Sequence, residues 1–196
     1  KVTIEQTSLC PPQTNKKQVE FVLLYGPPLS GKSFYSKQHY ENTHIRISPS
    51  ELFKQDENFS FHRLTALVTE HLIQNKSVVI DDENRLPRTR MSYLKAIKEA
   101  QNKKKLENLR LSAVCFQPLG GINQCLWANE WAYAEHLTSS DSKEKQFQPK
   151  SSSEFEEWFH GDNHPPTKQE GFDEILSVRT KIHCNHTEKL ATEALF

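Results

Sequence analysis

The stretch VEFVLLYGPPLSGKS, Val19 to Ser33, decides the reading of this chain. Its first half, Val19 to Tyr25, is a nearly continuous apolar run of strand length, the pattern of a strand buried on both faces. The run stops at Gly26, and the spacing Gly26, four residues, then Gly31, Lys32 and Ser33 matches a P-loop, or Walker A, motif. "KSFYSKQH" then continues as a helix. Such a turn aims backbone N–H groups at an anion held at the helix opening, where the helix dipole favours negative charge. Pro27 and Pro28 donate no N–H, so the cradle is expected from Leu29, Ser30, Gly31, Lys32 and Ser33, with Gly26 ending the strand. Lys32 is expected to neutralise the β- and γ-phosphates of ATP or GTP, and the Ser33 hydroxyl to ligate Mg²⁺. A chance match in a chain of this length arises on the order of 1% of the time or less. Here the motif also sits between a strand and a helix, which is the context it needs.

A second signal supports the first. "VVIDDEN", Val78 to Asn84, reads as a buried strand that ends in acid. An acid at a strand end is where P-loop proteins place the carboxylate that faces Mg²⁺ and its waters, and Asp81 is the candidate. Arg85, Arg88 and Arg90 follow. Two accounts of them stand level: bidentate phosphate clamps, or helix-surface charges paired with Asp82 and Glu83. Lys103, Lys104 and Lys105 read as a solvated loop, and "HCNH", His183 to His186, as a polar tail rather than a metal site. Trp127 and Trp131 fall four apart on one helix face, where packing is the default and stacking on a base the alternative.

Around these motifs, strands and helices alternate. Strand patterns recur at His44 to Ser48, at Ser77 onward, over Leu109 to Phe116 and over Gly171 to Val178. Helical spacing covers Phe61 to Gln74, a stretch opened by Pro87, and Ile122 to Leu137. That order implies an α/β fold with a mainly parallel five-stranded sheet flanked by helices. Residues 1–18 read as a polar lead-in, 19–182 as one domain with a mobile loop over 138–153, and 183–196 as a polar tail.

The 196 residues suffice for one domain with a real core, although the hydrophobic share is only 35%. Lys plus Arg equals Asp plus Glu at 25 each, so no global basic field marks a nucleic-acid binder, and a local groove stays open as a possibility. The four scattered cysteines suit a reducing, intracellular setting, nuclear or cytoplasmic, with Cys115 and Cys125 expected to be buried thiols. No apolar run reaches the length of a membrane span, so no membrane partner is expected. Lys1 rather than Met stands first, and the expectation is a segment of a longer protein.

Several segments together resemble the kinase domain of the polynucleotide 5′-kinase family, within the P-loop kinases. They are "VEFVLLYGPPLSGKS", "VVIDDENRLPRTRMSYLKAI", "VCFQPLGGINQCLWANEWA" and "PPTKQEGFDEILSV", in the family's order from about Val19 to Val178. The resemblance implies a P-loop kinase fold with a helical lid, and transfer of the γ-phosphate of ATP to a 5′-hydroxyl of DNA or RNA. It matches Lys32 and Ser33 to the triphosphate and Mg²⁺ positions, Asp81 and Asn84 to the ends of the family's Asp-Asn-Thr-Asn run, and Arg90 to an arginine early in the next helix, a nucleotide-binding candidate. The departures are selective. The family's catalytic aspartate aligns with Ser50, beside Glu51, and its lid arginines align with Leu126, Glu130 and Ala132. A serine cannot act as that base near neutral pH, and lost cationic clamps remove transition-state stabilisation. The family's central P-loop glycine is Leu29.

Three readings follow. The first is a pseudokinase-like domain that binds ATP or GTP with Mg²⁺, phosphorylates poorly or not at all, and acts as a binding or scaffolding module toward DNA, RNA or other protein domains. The second is an active 5′-kinase that uses Glu51 as its catalytic base. The third is a protein-interaction domain without nucleotide.

Overall fold

A computed structural model describes residues 3–7, 18–103, 106, 108–138 and 149–183. Its elements are β1 (Thr3–Thr7), β2 (Val19–Tyr25), α1 (Lys32–Tyr40), β3 (His44–Ile47), α2 (Pro49–Gln55), α3 (Phe61–Ile73), β4 (Ser77–Ile80), α4 (Pro87–Asn102), β5 (Leu109–Pro118), α5 (Gly121–Thr138), α6 (Ser152–His160), a 3-10 turn (Lys168–Glu170) and β6 (Glu174–His183). The five expected strands form the parallel part of one sheet, in the order β6-β5-β2-β4-β3. β1 adds a sixth strand, antiparallel to β6 at the edge, from within the segment read as a lead-in. That partner carries β6 past Val178: Lys181 to His183 pair with β1 alone. Most of the stretch read as a mobile loop, 139–148, lies outside the described residues, as do Cys10, Lys104, Lys105 and 184–196. The rest of that stretch is the end of α5 and the capped start of α6.

β2 is central because both of its faces are covered. Val19, Phe21, Leu23 and Tyr25 point to one face, among Leu64, Val68 and Leu72 of α3 and Tyr93, Leu94 and Ile97 of α4. Val22 and Leu24 point to the other, against Tyr35 and Tyr40 of α1 and Phe116 of β5. Each fully buried apolar side chain of this kind contributes roughly 1.5–3 kcal/mol. Glu20 is the polar exception in the strand. It is buried, accepts from Ser112 Oγ at 3.0 Å, and faces His44 Nε2 at 3.5 Å. The chain leaves β2 toward β3 and β4 on one side and later passes to β5 on the other. The carboxyl end of β2 is therefore the switch point of the sheet, where such folds open a crevice for ligands.

Two expected thiols, Cys115 and Cys125, are buried, and burial pushes both up to about 12. Neither is a reactive thiolate at neutral pH. Among the described residues no helix is long and apolar enough to cross a membrane.

One buried ion pair ties the late part of the chain to the switch point. Arg90 has no exposed surface, and its Nε and Nη2 each donate to the carboxylate of Glu170 at 2.8 Å. Its Nη1 donates to the carbonyls of Asn84 (3.0 Å) and Arg85 (2.9 Å), and the guanidinium lies 5.7 Å from the centre of the Tyr25 ring. Removing one partner of a buried pair leaves an uncompensated charge, which costs about 3–5 kcal/mol. Glu170→Ala is expected to lower unfolding stability by about that much in urea titrations, whereas Glu156→Ala on the exposed face of α6 changes it by less than about 0.5 kcal/mol.

Candidate functional site

The P-loop follows from local backbone rules. Gly26 ends β2 where a Cβ would come within 2.7 Å of the Cβ of Phe116, so only glycine fits there. Gly31 takes φ 92° as the N-cap of α1, a left-handed conformation natural to glycine. Leu29 takes φ 57°, the same region without a glycine's freedom. The position aligned with the family's central glycine thus keeps the glycine conformation. No side chain caps α1, and its first turn holds no acid. The leading amides of a helix have no intrahelical acceptor, so they face the loop with their dipole unmatched.

Lys32 folds back over the loop, and its Nζ donates to the carbonyls of Gly26 (2.9 Å) and Pro27 (2.6 Å). Burial pushes the ammonium below its usual range, while Glu83, Asp81 and Asp82 act in the opposite direction. Ser33 Oγ donates to Asp81 Oδ1 at 3.2 Å. The fold thus brings together two side chains 48 residues apart that the sequence suggested for Mg²⁺. Among the described residues no group of three or more acidic, histidine or cysteine side chains gathers as a metal site. A hydroxyl beside one buried carboxylate nonetheless fits Mg²⁺, which takes one or two carboxylates and completes its shell with phosphates and water. Asp82 is also drawn inward, and burial raises it above the usual carboxylate range.

The other oxygen of Asp81 belongs to Arg46. Arg46 Nε donates to Asp81 Oδ2 at 2.7 Å, and Nη1 and Nη2 donate to the two oxygens of Glu51 at 3.2 and 3.0 Å. Glu51, the candidate base, sits in the first turn of α2 and is largely exposed. Ser50 is exposed beside it, with its hydroxyl 3.2 Å from that of Ser48. Sequence reading missed Arg46. Its one signal was a basic residue inside a strand, two positions before the turn that carries the candidate base.

The structure places Arg90, which the resemblance matched to a nucleotide-binding arginine, in the interior, where its guanidinium donates to Glu170 and two loop carbonyls. Arg85 is spent on Glu157 and its carbonyl, and Arg88 is exposed. Among the described residues, neither makes a hydrogen bond or ion pair with Asp82 or Glu83. Asn84 explains its place in the motif. It takes φ 49°, its Nδ2 donates to the carbonyl of Leu24 at 2.7 Å, and the Gly26 amide donates to the neighbouring Glu83 carbonyl at 3.3 Å. The acid loop is thereby stitched to the start of the P-loop.

On α5, Leu126 and Ala132 are half-buried and Glu130 is exposed. Trp127 and Trp131 are half-buried and stack on each other with ring centres 5.6 Å apart. Two helices were missed altogether. α2 opens with Ser48, Pro49 and Glu51, and α6 with the capping box of Ser151 and Glu154, followed by Phe155 and Trp158 in the core. Both signals were legible, but the second lay inside a polar stretch.

The chain shares its fold with solved proteins, an RNA kinase among them. It is similar to Kti12 from Chaetomium thermophilum, solved in complex with ADP-AlF3, at 16% identity and a TM-score of 0.52, over 80% of this chain and 87% of that one. It is also similar to a fungal RNA kinase, at 16% identity and a TM-score of 0.50, over 83% of this chain and 75% of that one. No protein-family model and no curated protein matches the sequence. At such identity the likeness is one of fold, and the fold is that of the P-loop kinases.

A leucine held in the left-handed region costs about 1–2 kcal/mol relative to glycine. Leu29→Gly is expected to raise the melting temperature by about 2–4 °C with the loop conformation retained. A calorimetric scan that shows a fall instead would mean that Leu29 packing outweighs its strain.

Proposed function

We propose that this chain is a nucleotide-holding domain, similar to polynucleotide 5′-kinases, that binds ATP or GTP with Mg²⁺ and transfers the γ-phosphate weakly or not at all. The observation that carries the reading is the uncapped start of α1 with Lys32 lying over the loop and Ser33 on Asp81. Leu29 through Ser33 supply backbone donors, Lys32 exchanges carbonyl partners for phosphate oxygens, and Ser33 with Asp81 hold the metal. Mg²⁺ held by Ser33 and Asp81 would supply positive charge against the phosphates.

The acceptor side supports the second half. A catalytic base needs a carboxylate lone pair directed at the acceptor hydroxyl. Both oxygens of Glu51 are engaged by Arg46, and Ser50 offers no replacement. The Arg46–Glu51 pair is largely exposed and stabilises the fold by about 1 kcal/mol or less. Its consequence is geometric: it turns the Glu51 carboxylate toward Arg46. With no arginine at Leu126, Glu130 or Ala132, α5 adds no cation at those positions. The domain then serves as a binding or scaffolding module toward DNA, RNA or other protein domains, inside a cell.

Two measurements test this together. Millimolar Mg²⁺–ATP is expected to raise the melting temperature by several degrees, about 2.7 kcal/mol of stabilisation at a hundred times the dissociation constant. Incubation with γ-labelled ATP and a 5′-hydroxyl oligonucleotide is expected to give no transfer above that of Glu51→Gln. Robust transfer that Glu51→Gln abolishes would replace this reading with an active kinase. No thermal response to either nucleotide would replace it with a protein-interaction domain.

A further inference from the structure

α5 carries no arginine at its three aligned positions, yet a cation does reach the acid loop from the α5–α6 side. Lys150 precedes α6, and its Nζ donates to Glu83 Oε1 at 3.1 Å and to Glu154 Oε1 at 3.3 Å. Its backbone is fixed to α5. Asn129, itself buried, donates through Nδ2 to the Lys150 carbonyl at 2.9 Å and accepts from the Lys150 amide at 3.0 Å. Glu83 is also the foremost of the carboxylates acting on Lys32, and its carbonyl receives the Gly26 amide. Lys150 therefore holds the side chain of the residue whose backbone carbonyl receives the first amide of the P-loop.

We propose that Lys150 is a second phosphate-contacting residue, a cation that leaves Glu83 for the terminal phosphate of a bound nucleoside triphosphate. This rests on the nucleotide reading above. Three features favour it. Asp81 is already matched by Arg46 and Ser33, whereas the described side-chain partner of Glu83 is Lys150, so a polyanion entering beside Glu83 meets Lys150 as the cation at hand. The Lys150 side chain is only half-buried and its two partners are exposed or half-exposed, so exchanging a carboxylate for a phosphate costs little. The backbone anchor at Asn129 holds the stem in place while the ammonium moves. A lysine is a point charge on a flexible stem, suited to that exchange where a forked guanidinium is absent.

Calorimetric titration of ATP and ADP into the whole chain and into Lys150→Met tests the assignment. The variant is expected to bind ATP about tenfold more weakly while ADP binding changes less than twofold, and Lys150→Arg is expected to restore the ATP preference. On the unmutated chain, amine-reactive labelling read by mass spectrometry is expected to show Lys150 protected by ATP and not by ADP. Equal effects on the two nucleotides, or no protection of Lys150 by ATP, would overturn this assignment while the P-loop reading stands. A wild-type chain that binds neither nucleotide would overturn both.

Discussion

The guanidinium of Arg90 is the contact on which the site's geometry rests. It gathers the carbonyls of Asn84 and Arg85, the carboxylate of Glu170 and the ring of Tyr25 at one buried point. Those groups belong to the acid loop, the turn before β6 and the end of β2. Asn84 extends the hold by donating to Leu24, and Glu83 by accepting from Gly26. Position of the acid loop relative to the P-loop is thus set by a charged group rather than by apolar packing alone. Buried charges of this kind are costly unless every donor is placed, and here both loop carbonyls and the carboxylate are supplied.

Much of the fold was legible because its signals are local. Val19 to Tyr25 reads as a doubly buried strand from composition, and α3 and α4 from their apolar spacing. The meeting of Ser33 with Asp81 also followed from motif order, since parallel neighbours β2 and β4 bring their carboxyl ends together. What escaped was non-local. Nothing near Arg90 in the sequence announces Glu170, eighty residues on, so their pairing was not legible there. Arg46 and Lys150 escaped for the same reason: their partners are defined only once β3 lies beside β4 and α6 reaches the acid loop. β1 was unreadable because a short polar edge strand takes its stability from the partner it finds, here β6.

The charges around the loop separate holding from transferring. In the function proposed, Lys32, Ser33 and Asp81 are the phosphate and metal end, with Lys32 folded over the loop and Ser33 donating to Asp81. On the acceptor side, Arg46 spans Asp81 and Glu51 and engages the carboxylate that a transfer reaction would need. Phosphoryl transfer is mostly positioning and electrostatic stabilisation, so a site with the first end and without the second retains affinity more readily than turnover.

The claim at the centre is that Lys32 and the open start of α1 hold a triphosphate. Calorimetric titration of Mg²⁺–ATP into the wild-type chain and into Lys32→Ala tests it most directly. The account requires saturable one-to-one binding by the wild type and a loss of at least about tenfold in the variant. Equal binding by the two chains, or none by the wild type, would contradict it.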